Sequence, residues 1–217
     1  QMRIYSNKRE NSMNTKLSYT DNSLLIVLSG PSGAGKGTLK NMYMQEHKEN
    51  TYFSVSATTR SPRECEIHGV DYIFVDKNEF EEMKSQNEFL EYAFVHGEYY
   101  ATPRKNAVEQ LEKGNDVIFD IDVQGGLNIK KQCPEAIMIF IAPPDMETLE
   151  KRLRKRGTET EERILRRLAN AEGELKNMPD YDYVILIDSV DEAYAKLKAI
   201  ITAEKCRSGN ITRFDIQ

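Results

Sequence analysis

A loop of nine residues constrains this chain more than any other feature. Gly30-Pro31-Ser32-Gly33-Ala34-Gly35-Lys36-Gly37-Thr38 follows the apolar run Leu24-Leu25-Ile26-Val27-Leu28 and precedes a helical pattern. In a strand–loop–helix of this kind, backbone N–H groups wrap around polyphosphate and the lysine reaches the terminal phosphoryl oxygens. Glycine is needed where the backbone takes φ > 0 and approaches the anion with no Cβ in the way. The positive end of the following helix adds to the same attraction. The loop therefore predicts a site for a nucleoside triphosphate. In its commonest form a Ser or Thr follows the lysine and its hydroxyl ligates Mg²⁺; here Gly37 intervenes before Thr38, so direct ligation by a loop hydroxyl is not expected.

A chain of 217 residues suits one α/β domain with inserted subdomains. Charged residues make up 30% of it and the formal net charge is −5, which argues against a nonspecific nucleic-acid binder. No apolar run approaches the ~18 residues of a membrane-spanning helix. Residues 1–22 are polar and of mixed charge, without the apolar core of a signal peptide. They read as a disordered extension, a tag remnant, or an upstream start with Met13 as the natural one, and 207–217 read as a tail. Cys65, Cys133 and Cys206 are isolated. They give neither a metal pattern nor a disulfide framework, and fit a protein of the reducing cytoplasm.

Apolar runs recur at 24–28, 117–121, 136–141 and 183–187. Near-continuous hydrophobicity in short strands means burial on both faces, as in a parallel sheet covered by helices. Helical patterns separate the runs. Pro144-Asp145 opens one, with Met146, Leu149 and Leu153 on a face; Thr158-x-x-Glu161 is read as the capping box of the next, striped by Ile164, Leu168, Ala171 and Leu175. Ser189-x-x-Glu192 caps the last. The expectation is a doubly wound α/β fold with its ligand at the carboxyl ends of the strands. Residues 52–101, rich in Tyr, Phe and Thr, read as a small mixed, largely β insertion, and the Arg- and Glu-dense stretch about 154–163 as a second, shorter one. The core would then be 23–51 and 102–206.

Within the first insertion, Ser56-Ala57-Thr58-Thr59-Arg60-Ser61-Pro62-Arg63 leads to Tyr72. Two arginines three apart beside hydroxyls can clamp a second phosphate bidentately, and Tyr72 can add a phenolic hydrogen bond. A bare R-x-x-R is usually a solvated loop. Beside a triphosphate loop, a phosphoryl acceptor is the better reading.

These two motifs occur in order with Gly97-Glu98-Tyr99-Tyr100-Ala101-Thr102, Asp120-Ile121-Asp122-Val123-Gln124-Gly125 and Arg156-Gly157-Thr158-Glu159-Thr160-Glu161. Together they resemble the guanylate kinase family over about residues 23–206. The resemblance implies a nucleoside monophosphate kinase core with a GMP-binding domain and a lid, and transfer of the γ-phosphoryl of ATP to GMP, giving ADP and GDP. It implies Mg²⁺, held through water in loops of the Gly-Lys-Gly-Thr kind. Residues 30–38 would hold ATP; Arg60, Arg63, Tyr72 and Tyr100 would hold the phosphate of GMP; Ser56, Glu91 and Thr102 would read guanine. Guanine's N1–H and exocyclic amine are adjacent donors that a carboxylate accepts in a fork, and hydroxyls can donate to O6. Adenine offers the opposite pattern and would leave Glu91 unpaired.

Asp120 and Asp122 close a strand of buried type. By resemblance Asp122 helps hold GMP, and a carboxylate here can order Mg²⁺ waters; a helix N-cap is the alternative for one of the pair. The segment 151–167 holds eight Lys or Arg. A charge run is usually a solvated face, but the resemblance makes Arg152, Arg156 and Arg167 the residues that converge with Lys36 on the transferring phosphoryl. Phosphoryl transfer needs positioning and charge neutralisation, and lid closure would exclude water. Two positions depart from the family pattern: Ile187 replaces the Asn often found before Asp188, and Ala101 a Gly. The rival readings are a non-catalytic scaffold module of the same fold, a kinase for another nucleoside monophosphate, and an NTPase without acceptor. Lys36, the Glu91/Ser56 pair and the arginine clamp argue against them in turn. Oligomeric state is not legible.

Overall fold

The near-continuous apolar runs become neighbours in one sheet. The computed structural model describes residues 15–19, 23–95, 97–155, 160–207 and 211–215; Arg156 and Thr158 lie outside them. In chain order the described residues form β1 (Thr15–Tyr19), β2 (Leu25–Ser29), α1 (Lys36–His47), β3 (Thr51–Phe53), β4 (Ala57–Thr58) and β5 (Ile73–Phe74). Next come α2 (Lys77–Ser85), β6 (Phe89–Val95), β7 (Glu98–Pro103), α3 (Arg104–Glu112), β8 (Asp116–Asp120) and α4 (Val123–Gln132). β9 (Ile137–Ala142), α5 (Met146–Lys155), α6 (Glu161–Leu175), β10 (Tyr183–Leu186), α7 (Val190–Lys205) and β11 (Ile211–Asp215) follow.

β2 lies at the centre of a five-stranded parallel sheet of order β10-β9-β2-β8-β3. Its side chains alternate between two buried faces, as a period of two requires. Leu24, Ile26 and Leu28 pack with Leu39, Tyr43 and Leu197 of α1 and α7. Leu25 and Val27 pack with Phe119, Ile129 and Phe140 on the α4 side. The chain turns from β2 into the phosphate loop where the sheet reverses its order, the crevice in which such folds bind ligands.

The second sheet is mixed, of order β5-β4-β7-β6. β4 and β5 are parallel; β4 with β7 and β6 with β7 are antiparallel. Phe80 of α2 fills its core, 4.9 Å between centroids from both Phe89 and Tyr99. Helix α2 is absent from the sequence reading of this stretch as largely β. It starts where Asp76 accepts from the N–H groups of Asn78 at 2.8 Å and Glu79 at 2.9 Å. β3 belongs to the parallel sheet, so the mixed sheet starts at Ala57 rather than at 52.

α5 and α6 bury Leu149, Leu153, Ile164 and Ala171 against each other. The residue at the N-cap of α6 is Thr160, without a side-chain cap bond. The capping box expected to begin at Thr158 falls on a residue outside the described ones, and Thr160, followed three residues on by Arg163, does not form one. Ser189 caps α7 as expected, accepting from Glu192 N–H at 3.5 Å. The ends of the fold are tied together. Asp116, 4% exposed, accepts from Leu24 N–H at 2.9 Å and from Lys205 Nζ at 2.6 Å. Beyond that clasp β1 and β11 pair antiparallel, Thr15 opposite Asp215.

Candidate functional site

The phosphate loop is forced by close approach. Gly30 has φ +137°, and a Cβ there would lie 2.0 Å from the Ile141 carbonyl oxygen. Gly35, with φ +117°, ends the loop at the N-cap of α1; a Cβ there would lie 2.7 Å from Ile187 Cδ1. Neither position admits a side chain. Lys36 folds back over the loop and donates from Nζ to the carbonyls of Gly30 at 2.6 Å and Pro31 at 3.3 Å. Arg167 of α6 reaches the loop from the other side, donating from Nη1 to Ser32 Oγ at 3.0 Å.

The loop faces a cleft of about 330 Å³ that the mixed sheet closes from across. Lys36, Ser56, Arg60, Arg63, Tyr72, Glu91, Tyr100, Asp120, Asp122 and Arg167 all line it. Residues far apart in sequence are therefore brought together as expected. Arg156 lies outside the described residues. Thr102 and Arg152 do not line the cleft. Thr102 is fully buried, with Oγ1 2.8 Å from Glu91 Oε1, so it bears on the cleft through Glu91. Arg152 was expected beside Arg167 at the transferring group, but it sits on the outer side of the loop. There its guanidinium is taken up by the carbonyls of Ala34 at 3.0 Å and Ile187 at 2.8 Å. It walls a separate cavity of about 290 Å³ with Gly33, Thr38 and Ile187.

The chemistry of the cleft is set by unequal burial. Glu91 is 6% exposed, and while Oε1 meets Thr102, Oε2 is buried with no hydrogen-bond partner among the described residues. Desolvation first, and the Asp122 charge, raise its carboxyl from 4.5 to about 7. A buried acceptor oxygen without a donor is a place for a ligand N–H. Burial likewise pushes the Tyr72 phenol up to about 12, with Asp120 adding to it, so the phenol stays protonated and able to donate. Tyr72 and Tyr100 meet at 6.0 Å between ring centroids. Arg60 lies beside them, its guanidinium carbon 5.3 Å from the Tyr72 centroid. Asp122 is the member of the acidic pair that caps a helix, accepting from Gly125 N–H at 3.0 Å at the start of α4. It still presents to the cleft.

Three residues were missed. Glu174 lines the cleft; burial raises its carboxyl while Lys36 opposes the rise. It lies seven residues after Arg167, two helical turns along one edge of the apolar stripe, a spacing visible in the sequence. Glu66 pairs with Arg60 at 2.8 Å, and its position three after Arg63 repeats the R-x-x-R interval. Tyr181, 8% exposed, places its hydroxyl beside Ser29 behind the loop; no local pattern points to it. The two departures have packing roles. Ala101 is buried in the core of the mixed sheet, and Ile187 in that of the parallel sheet against Gly35.

No group of three or more His, Cys, Asp or Glu among the described residues could hold a metal ion. No helix among them is long and apolar enough to cross a membrane.

The family model described as guanylate kinase matches residues 22–204. A guanylate kinase of Clostridium tetani is 49% identical over 191 residues, covering 88% of this chain and 91% of that protein. One from Caldanaerobacter subterraneus subsp. tengcongensis is 48% identical over 191 residues, covering 88% and 92%. The crystal structure of guanylate kinase from Anaplasma phagocytophilum superposes with a TM-score of 0.72 at 32% identity, covering 89% of this chain and 92% of that one.

Proposed function

The chain belongs to the guanylate kinase family, ATP:GMP phosphotransferases, and we propose a division of labour among its residues for moving the γ-phosphoryl of ATP to GMP. The observation that carries it is the facing of two anion sites across one cleft: the loop with Lys36 on one wall, Arg60, Arg63, Tyr72 and Tyr100 on the other. A donor and an acceptor phosphate held this way need no covalent relay.

The loop, residues 30–38, wraps the phosphates of ATP. Lys36 leaves the carbonyls of Gly30 and Pro31 for the phosphoryl oxygens. Arg167, already at the loop, neutralises charge that develops on the equatorial oxygens. Arg156 belongs to the same lid by sequence, whereas Arg152 braces the loop from outside. Across the cleft Arg60 and Arg63 grip the phosphate of GMP and the tyrosine hydroxyls donate to it. Glu91, ionised and fixed by Thr102, accepts guanine's N1–H and amine, and Ser56 lies at hand for O6.

Mg²⁺ fits this donor set as a partly hydrated ion. No all-protein cage is present among the described residues, and Mg²⁺ keeps waters and takes substrate phosphates beside one or two carboxylates. Asp120 and Asp122 would order those waters, and the ion would neutralise the β- and γ-oxygens. We place the enzyme in the cytoplasm, in GMP recycling. The free thiols of Cys65, Cys133 and Cys206 support that compartment. ADP formation measured with GMP, dGMP, AMP, CMP and UMP tests the whole reading. GMP should be turned over best and dGMP more weakly; equal rates with AMP would overturn it.

A further inference from the structure

The acceptor wall holds a carboxylate that the transfer itself does not use. Glu66 takes the guanidinium fork of Arg60 with both oxygens, Oε1 at 2.8 Å from Nη2 and Oε2 at 2.9 Å from Nη1. Oε2 also accepts the backbone N–H of Arg63 at 2.8 Å, and Oε1 lies 3.6 Å from the Arg63 guanidinium. The Arg60 and Glu66 side chains are 17% and 15% exposed, so solvent screens the pair little. Nη1 of Arg60 donates once more, to Ser61 O at 2.8 Å, and the guanidinium carbon lies 5.3 and 5.8 Å from the ring centroids of Tyr72 and Phe74. One edge of a rigid five-donor fork is thus fixed, and its plane is set by two rings.

Glu66 could stand in one of two relations to an incoming phosphate. As a competitor it would occupy the anion position and have to be displaced. As a support it would stand behind the arginine and leave its other edge turned to the cleft, where Tyr100 also meets it. Arg60 and Arg63 line the cleft and Glu66 does not, which decides for the support. We propose that Glu66 is a positioning residue of the acceptor clamp, which binds Arg60 and the Arg63 backbone so that both arginines are aimed before the acceptor's phosphate arrives. An arginine already held loses less side-chain entropy on binding, so preorganisation appears as affinity. The inference rests on the reading of this wall as the GMP phosphate site.

The test compares Glu66→Gln and Glu66→Ala with the wild type in steady-state kinetics, in calorimetric GMP binding, and in inhibition by guanosine, which lacks the phosphate. Losing one charge-assisted pair should raise KM and Kd for GMP about tenfold in Glu66→Ala and less in Glu66→Gln. The kcat, the KM for ATP and the guanosine inhibition constant should each stay within about twofold, since a phosphate-only effect touches none of them. A KM for GMP that falls would make Glu66 a competitor, and one that does not change would make it idle. Guanosine inhibition that weakens in step with GMP would make it a fold residue. Each of these overturns the proposal. A wild type that binds GMP without phosphorylating it counts against the family reaction, and the calorimetry then still decides the role of Glu66.

Discussion

Arg167 of α6 donates to the hydroxyl of Ser32 at 3.0 Å, joining that helix to the glycine-rich loop between β2 and α1. Arg60 lies across the cleft, paired with Glu66 at 2.8 Å. The two arginines should fail differently. Arg60→Ala should raise the KM for GMP about tenfold or more with little change in kcat, because its contact is made in ground and transition state alike. Arg167→Ala should lower kcat with a smaller change in KM. Arg63, with its side chain 53% exposed, should give a weaker version of the Arg60 effect. Steady-state kinetics on the three variants checks this; a pure KM effect in Arg167→Ala would remove it from the transferring group.

Lys36→Ala should lower kcat by ~10²–10³, the worth of one donor aimed at developing charge. Among the described residues its Nζ donates to the loop carbonyls of Gly30 and Pro31 and packs in no core, so the melting temperature should hardly move. Activity and thermal unfolding measured on one preparation separate the two effects.

Glu91 should set a pH dependence with opposite signs for stability and binding. Its carboxyl is raised from 4.5 in the unfolded chain to about 7 in the fold, chiefly by burial. The folded state therefore holds the proton more tightly, and that stabilisation, present below about pH 4.5, is lost as pH rises through about 7. The cost at higher pH is on the order of 3 kcal/mol, and Glu91→Gln should remove it and melt higher than the wild type at about pH 8. Guanosine binding needs the ionised form, so wild-type affinity should improve about tenfold from about pH 6 to about pH 8. A flat guanosine profile would mean that Glu91 does not read the base.

The same substitution should change sign between two helical glycines. A Cβ on Gly173 of α6 meets nothing within 4 Å, so Gly173→Ala should gain up to ~1 kcal/mol from helix propensity. A Cβ on Gly126 of α4 would meet Ser29 Oγ at 2.7 Å and the Tyr181 hydroxyl at 2.8 Å. Gly126→Ala should cost about 1–3 kcal/mol by overpacking. Urea unfolding of both variants gives the two signs directly.

The parts of this fold that could be read from sequence are those whose cause is local. Leu24 to Leu28 and Ala136 to Ile141 are apolar throughout because both faces of their strands are covered. The phosphate loop is legible because Gly30 and Gly35 need backbone geometry that other residues resist. Helix α2 is signalled by its cap Asp76, but the surrounding Tyr and Phe favour strand, and only tertiary packing of Phe80 decides for the helix. β3 is too short to show a period. Arg152 shows the limit most clearly: its helix and spacing are right, but which side of the loop it takes depends on the carbonyls of Ala34 and Ile187. The supports of the site, Glu66 under Arg60 and Tyr181 behind Ser29, are contacts of tertiary structure.

The clasp of Leu24, Asp116 and Lys205, with the pairing of β1 and β11 beyond it, brings the first and last described strands together. Because Thr15 and Asp215 lie opposite each other, a short peptide could join β1 to β11 at little loop-closure cost. A circular permutant opened between the exposed Pro134 and Glu135 should therefore fold and keep its cleft. Seen this way, the order in which the elements are synthesised is separable from the shape they make.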